Sequence, residues 1–335
     1  MHWRTKGLVQ KVLGLHPAGA GLHYRLQCRF GGLTDFSREL ATKIEDWTIM
    51  VGHLRAAGMP LAGTRMVEIG TGWYPTFPLA CHLAGAARVT TFDLTRHLRP
   101  ELLRRCVHEL GGFIDTIATA AGVDGEEVRA RHVDLRAAID AGAGLEEATG
   151  GVVRYCAPAD ATRSGLADGE VDVVFSNSVL EHVPPDVIRA MYRESRRILG
   201  ARGLMFHSVN CGDHYAYVDR RISQLNYLKY SDRAWRFWNN AFLYQNRMRA
   251  HEFVDLALEC GFRITLDTST TRPATGAAAG TGILGAPMIW AQNIRDVTLN
   301  QVGPSYSVIA DIAEKASADL GFTIVPQTAD STALM

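Results

Sequence analysis

The chain has 335 residues, of which 47% are hydrophobic and 21% charged, and its 35 basic and 35 acidic side chains cancel. This much apolar material excludes disorder over the whole length, and the balanced charge leaves no global field to gather nucleic-acid phosphates or anionic lipid. Six scattered cysteines (Cys28, Cys81, Cys106, Cys156, Cys211, Cys260) never form CxxC, so neither a zinc ribbon nor a disulfide framework is expected. Reduced thiols in a cytoplasmic protein are the simpler reading. No signal-peptide block follows Arg4 and Lys6, and no apolar run reaches the roughly 18 to 20 residues of a membrane span.

In chain order, residues 34–58 predict an amphipathic helix with Thr34 as N-cap and a stripe of Phe36, Leu40, Ile44, Trp47, Val51 and Leu54. Residues 66–69 read as a strand, followed by the turn Gly70-Thr71-Gly72 and a helix over 77–87; a second strand, 89–92, ends in Asp93. One long helical stripe runs over 98–121 and another helix over 126–141, before a third strand at 152–156 that ends near Asp160. That gap exceeds the single crossover helix of a βαβ unit and predicts an inserted helical subdomain over about residues 98–150. A fourth strand at 171–175 leads to Ser176-Asn177-Ser178 and a helix over 186–199, started by Pro184 and Pro185 and ended by Gly200 and Gly203. A strand at 204–209, a polar and aromatic stretch at 210–249, a helix at 250–260 and a strand at 262–266 complete the legible part. A closing strand falls at 287–292 or at 321–325, and periodicity does not decide between them.

Strand and helix thus alternate in the manner of an α/β fold, a parallel sheet covered by helices on both faces. Ligands of such sheets bind at the carboxyl ends of the strands. There Gly70 and Gly72 let backbone approach a ligand, and Asp93, 21 residues beyond Gly72, stands at the distance at which an acid accepts from ribose hydroxyls. Asp160 is placed for an adenine amino group, and Asn177 lies near the glycine turn. Each signal is common by itself; their conjunction is not.

The segments VEIGTGW (67–73), VTTFDL (89–94), APADA (157–161), VDVVFSNSVLEHVPP (171–185) and LGARGLMFHSV (199–209) together resemble the class I S-adenosylmethionine-dependent methyltransferases, in the right order over residues 60–266. The resemblance implies a Rossmann-like, mostly parallel seven-stranded sheet, with S-adenosylmethionine as cofactor and S-adenosylhomocysteine as product. It implies a core over 63–293, an N-terminal helical cap over 1–62, an aromatic cap over 210–249 and a C-terminal extension over 294–335 that can supply the last strand. Gly70, Thr71 and Gly72 then form the methionine-side loop, Asp93 is the ribose acid, Asp160 the adenine contact, and Glu68 supports the ligand's amino group. Tyr74 stands where relatives often carry a third glycine, followed by Pro75. That proline removes an amide and fills the space a dinucleotide pyrophosphate needs, so a nicotinamide oxidoreductase is disfavoured.

Methyl transfer to a hydroxyl requires a nucleophile in line with the sulfonium and a group to take its proton. His214, after the fifth strand, is the expected general base, oriented by Asp213. His182 belongs to the VLEHV phrase and reads as a helix-start or packing element with a smaller chance of touching the acceptor; His207 reads as a core residue. His207, Cys211 and His214 spell HxxxCxxH, but strand geometry sends His207 away from the loop, and no metal is expected. Asn210, Tyr215, Trp238, Tyr244 and Arg247, with His182, form the expected acceptor pocket. The competing reading buries the aromatics of the cap against the sheet. The helix at 34–58 either closes the site from above or simply packs. The expected reaction is methyl transfer to oxygen of a small molecule, without nucleic-acid or membrane partner; nitrogen as acceptor, or cofactor binding without methyl transfer, are the alternatives.

Overall fold

The computed structural model describes residues 1–16, 18–31 and 33–267, and the backbone of residues 287–292 and 296–301. Three helices precede the sheet: α1 (Trp3–Gly14), α2 (Gly19–Phe30) and α3 (Phe36–Ala56). α3 buries the whole anticipated stripe, from Phe36 to Leu54. Its N-cap is Asp35 and not Thr34: the Asp35 carboxylate accepts from the Arg38 amide at 3.3 Å, whereas Thr34 Oγ1 donates to the Gly31 carbonyl and closes the preceding turn.

The alternating part follows as β1 (Arg65–Ile69), α4 (Thr76–Leu83), β2 (Arg88–Phe92), α5 (Pro100–Leu110), α6 (Ile114–Ala121), α7 (Gly125–Asp140), α8 (Leu145–Ala148), β3 (Val153–Cys156), β4 (Val171–Asn177), α9 (Pro185–Ile198) and β5 (Leu199–Ser208). The expected single helix over 98–121 is two, separated by a 3-10 turn at Gly111–Phe113. Paired glycines weaken a helix there, and a side chain at Gly111 would meet the His132 ring at 2.9 Å. After the polar stretch come α10 (Asp232–Trp238), α11 (Ala250–Glu259), β6 (Arg263–Leu266), β7 (Pro287–Gln292) and β8 (Asp296–Gln301).

The strand order is β3-β2-β1-β4-β5-β7-β6, with β8 paired to β7. β3, β2, β1, β4 and β5 are mutually parallel; β7 runs antiparallel to β5 and β6, and β8 antiparallel to β7. The expected mostly parallel α/β sheet is therefore present; among the described residues it holds eight strands, five of them mutually parallel. The strand at 287–292 takes the place beside β5; the alternative at 321–325 lies outside the described residues. Gly200 and Gly203 do not separate helix from strand as expected. β5 starts at Leu199, opposite Val171, and its register with β4 then shifts before Leu204 meets Val173.

Period-two alternation sorts the sheet's side chains onto two covered faces. Met66, Val89, Val153, Val173 and Phe175 face a layer built from α3, α4 and α5 to α8, which share one continuous apolar core. Val67, Ile69, Phe92, Val174 and Met205 face α9 and α11. The aromatic stretch does not lie on the sheet: Tyr215, Tyr227 and Trp235 form a separate cluster around Trp3 of α1. Trp3 is held there by its amide on Asp219 at 3.0 Å and by the rings of Tyr215, Tyr230 and Trp238. Strand order reverses between β1 and β4, which puts the crevice for a ligand at their carboxyl ends.

Candidate active site

β1 delivers Glu68 to the helix-covered face beneath the turn Gly70-Thr71-Gly72. Glu68 is buried and its Oε2 accepts from Thr71 Oγ1 at 2.8 Å and Thr91 Oγ1 at 2.7 Å. Burial pushes its carboxyl up to about 7 despite those hydroxyls, which favour the ionised form. The turn itself needs glycine. Gly70 (φ +82°) would drive a Cβ to 2.6 Å from Val179 Cγ2, whereas Gly72 (φ +74°) borders open space. Tyr74 leaves that space free by turning into the core, where its ring lies 4.7 Å from Phe36.

The turn, β2 and the loop after β3 meet at Asp93. Its Oδ2 accepts from the Gly72 amide at 3.1 Å and from Tyr155 OH at 3.0 Å, while its carbonyl accepts from the Ala159 amide at 2.8 Å. Burial raises the Asp93 carboxyl to about 6 against these hydrogen bonds. Asp160 follows directly; it is exposed, and its Oδ1 accepts from the amide and hydroxyl of Thr162. One oxygen thus holds the turn at the rim of the crevice.

α3 supplies two groups the sequence reading passed over. Asp46 Oδ2 accepts from Asn177 Nδ2 at 3.1 Å, leaving Asn177 Oδ1 buried without a partner, and burial lifts Asp46 to about 6. The Lys43 ammonium interacts electrostatically with Asp46, Glu68 and Asp93, and stands 5.9 Å from the Tyr74 ring. Lys43 and Asp46 each immediately precede a residue of the apolar stripe, Ile44 and Trp47, and being three apart they share one flank of the helix, where it normally meets water.

On the other side of Val179 lies the region expected for the acceptor. Glu181 is 2% exposed, and neither carboxylate oxygen has a hydrogen-bond partner. Burial raises it to about 8; the nearby main-chain amides of Glu181 and Asn210 offset this only in part. His214 Nε2 is likewise buried without a hydrogen-bond partner, 4.0 Å from Glu181 Oε1, and burial with the neighbouring His182 and Lys6 holds the ring neutral, well below the usual histidine range. His182 packs edge-on to His214 at 4.7 Å, its Nδ1 donating to the Tyr244 carbonyl at 2.7 Å. Asn210 Nδ2 donates to Tyr217 OH, and its Oδ1 accepts from the Gly212 amide.

Several expected roles fail on their hydrogen bonds. Asp213 does not orient His214: its carboxylate accepts from the Tyr215 amide and from Asn226 Nδ2, capping a 3-10 turn. Glu181 is the acid that faces the imidazole. Tyr215 donates to the Trp238 carbonyl at 2.9 Å, and both rings pack on Trp3. Arg247 is spent on the carbonyls of Tyr227 and Tyr230 and on Asp232. Tyr244 acts through its carbonyl on His182. His207 lies in the core as read, with Nδ1 on Ser176 Oγ at 2.7 Å, which removes it from any HxxxCxxH metal site.

Residues 111–207 match the family described as "Methyltransferase domain", a stretch running from the 3-10 turn at Gly111 through α6 to α8, β3, β4 and the VLEHV phrase into β5. No curated protein matches the chain. Among solved structures, it is similar to an S-adenosylmethionine-dependent methyltransferase from Mesorhizobium loti (18% identity, 63% of this chain and 80% of that one, TM-score 0.36). It is also similar to magnesium protoporphyrin IX methyltransferase from Synechocystis, solved with bound S-adenosylhomocysteine (15% identity, 75% and 83%, TM-score 0.40). A third is an S-adenosylmethionine-dependent methyltransferase from Methanosarcina mazei (15% identity, 72% and 94%, TM-score 0.38). The methyltransferase-domain match from Gly111 into β5, together with the strand order and the glycine turn bonded to Asp93, supports a class I S-adenosylmethionine-dependent methyltransferase.

Proposed function

We propose that this methyltransferase acts on an oxygen of a small-molecule acceptor, held between the loop after β4, the loop after β5 and the N-terminal helices. The observation that carries the reading is the pair Glu181 and His214: two buried groups with free lone pairs, one loop away from the glycine turn, since Val179 packs on Gly70 and Glu181 follows two residues later. A hydroxyl is the acceptor that needs such groups, because its proton must leave as the new bond forms; an amine nucleophile with a free lone pair does not.

S-adenosylmethionine supplies an electrophilic methyl when bound. On this reading Asp93 accepts from the ribose hydroxyls, Gly72 lets the backbone lie against the nucleoside, and the loop at 157–160 borders the adenine. Glu68, Thr71, Asp46 and Asn177 surround the methionine end, with Lys43 at hand for its carboxylate. Lids formed by α1, α3 and the aromatic cap keep water from the sulfonium. No helix of the described residues is long and apolar enough to cross a membrane, in keeping with an acceptor met in water.

The test is product analysis with methyl-labelled cofactor and panels of hydroxylated and aminated small molecules. Label recovered in an ether or ester supports the reading. Label only in methylamines moves the acceptor to nitrogen, and tight cofactor binding without any turnover removes catalysis altogether.

A further inference from the structure

Glu181, His182 and His214 each offer one metal-ligand atom, and these atoms all lie within 4.8 Å of one another. Such a group is ordinary when its members are satisfied by neighbours. Here they are not: both Glu181 oxygens and His214 Nε2 are buried without a hydrogen-bond partner. Buried polar atoms without partners are costly, and a cation coordinated by them would remove that cost. His182 adds a second, independent sign. A carbonyl can only accept, so the 2.7 Å contact with Tyr244 fixes the proton on Nδ1 and leaves Nε2 with the lone pair. An imidazole whose other nitrogen donates to a backbone carbonyl is the arrangement that orients a metal ligand. His182 and His214 are only partly covered, which leaves an entry route, whereas Glu181 lies at the floor.

We infer that Glu181, His182 and His214 form a binding site for a divalent transition-metal cation. Two imidazoles and one carboxylate suit manganese, iron, cobalt or zinc better than magnesium or calcium, which take oxygen donors. The present separation of His214 Nε2 and Glu181 Oε1, 4.0 Å, closes onto one ion at about 2.0 to 2.2 Å per bond by small side-chain rotations. The three ligands leave further positions for water or an acceptor oxygen. Lys6 of α1 opposes the cation, being the ammonium whose field reaches His214.

The cation's binding stands by itself; its role rests on the proposed transfer to oxygen. An acceptor hydroxyl coordinated to the ion loses its proton to solvent through a metal-bound water. The resulting alkoxide attacks the methyl carbon, a C–O bond forms as the C–S bond breaks, and the sulfonium leaves as a neutral thioether. Glu181 and His214 would then serve the hydroxyl by holding the ion that acidifies it, His214 as a ligand rather than a base.

The purified chain, stripped with chelator and dialysed, is titrated with Co2+, Mn2+ and Zn2+ by calorimetry, with the visible Co2+ spectrum as a readout of imidazole coordination. A single equivalent is expected, with Kd tenfold or more below that for Mg2+. Glu181→Gln and His214→Ala should each weaken binding by roughly a hundredfold, and Lys6→Met should tighten it several-fold. Circular dichroism and retained S-adenosylhomocysteine binding establish that each variant is folded; where Glu181→Gln is not, Glu181→Asp serves in its place. No binding at millimolar Co2+, Mn2+ or Zn2+, or binding indifferent to all these substitutions, overturns the site. Binding as expected, with methyl transfer equally fast in the metal-free chain, keeps the site and overturns its role in transfer.

Discussion

Replacing Asp93 with alanine probes the point at which three segments of the chain meet. In the wild type its Oδ2 carries two hydrogen bonds, from the Gly72 amide at 3.1 Å and Tyr155 OH at 3.0 Å, in a side chain that is 8% exposed. The variant leaves both donors without their acceptor and takes away the group assigned to the ribose. Loss of a charged acceptor to the ligand is worth about 1 to 3 kcal/mol, or about 5- to 150-fold in Kd. The unsatisfied Gly72 and Tyr155 add a folding cost of similar size, so affinity and stability must be measured separately. Calorimetry with S-adenosylhomocysteine gives the first and thermal unfolding without ligand the second. Asp93→Asn, which keeps one acceptor oxygen and the shape, should fall between wild type and alanine in both. A folded Asp93→Ala chain that binds the nucleoside with unchanged Kd would refute the placement of the ribose.

Affinity for the cofactor should rise with pH between 5 and 7. Asp93 and Asp46 are raised to about 6 and Glu68 to about 7 in the free chain, and a cationic ligand favours their ionised forms, so binding releases protons. Asp93 alone predicts about tenfold weaker binding at pH 5 than at pH 7.5, and calorimetry in buffers of different ionisation enthalpy that detects proton uptake contradicts the sign. Glu68, raised in the fold to about 7 from an ordinary value near 4.5, contributes stability that is full below the lower value and lost as pH climbs through the higher. Wild type should therefore lose about 3 kcal/mol between pH 4.5 and 8 relative to Glu68→Gln; parallel melting curves would show that Glu68 is not buried in this way. At the turn, Gly70→Ala should destabilise more than Gly72→Ala, since only the former meets Val179 at 2.6 Å, while Gly72→Ala, strained by about 1 to 2 kcal/mol, should hurt nucleoside binding because its methyl enters the open side. Equal melting temperatures for the two variants would say the turn is built otherwise.

What the sequence makes legible here is what short-range physics decides. The strands announce themselves because each is a run of apolar and β-branched residues stopped by Gly70, Asp93 or Asn177, and the stripe of α3 survives because its period is local. Asp93 and the glycine turn were readable for the same reason: spacing and strand ends fix their place. The failures share a different cause. Tyr215, Trp238 and Arg247 look like a pocket on composition, yet their partners are Trp3 of α1 and the carbonyls of Tyr227 and Tyr230, contacts that only the folded chain defines. Asp46 and Lys43 sit beside an apolar helical stripe, where charge ordinarily means solvent. Glu181 was hidden inside VLEHV, a phrase whose flanking Leu180 and Val183 do pack in the core. Only its burial without a partner separates it from a helix-start residue. The break at Gly111–Phe113 and the extra strand β8 depend on packing against His132 and on pairing with β7, neither of which has a local signature.

The central claim is that one sulfonium nucleoside is embraced by the turn at Gly70–Gly72, by Asp93 and by the loop ending at Asp160. A crystal structure of the chain with S-adenosylhomocysteine tests it most directly. The account predicts the ribose hydroxyls within hydrogen-bonding distance of Asp93, the adenine beside residues 157–160, and the sulfur turned toward Glu181 and His214. Density for the nucleoside in another cavity, or none at saturating ligand, would contradict it.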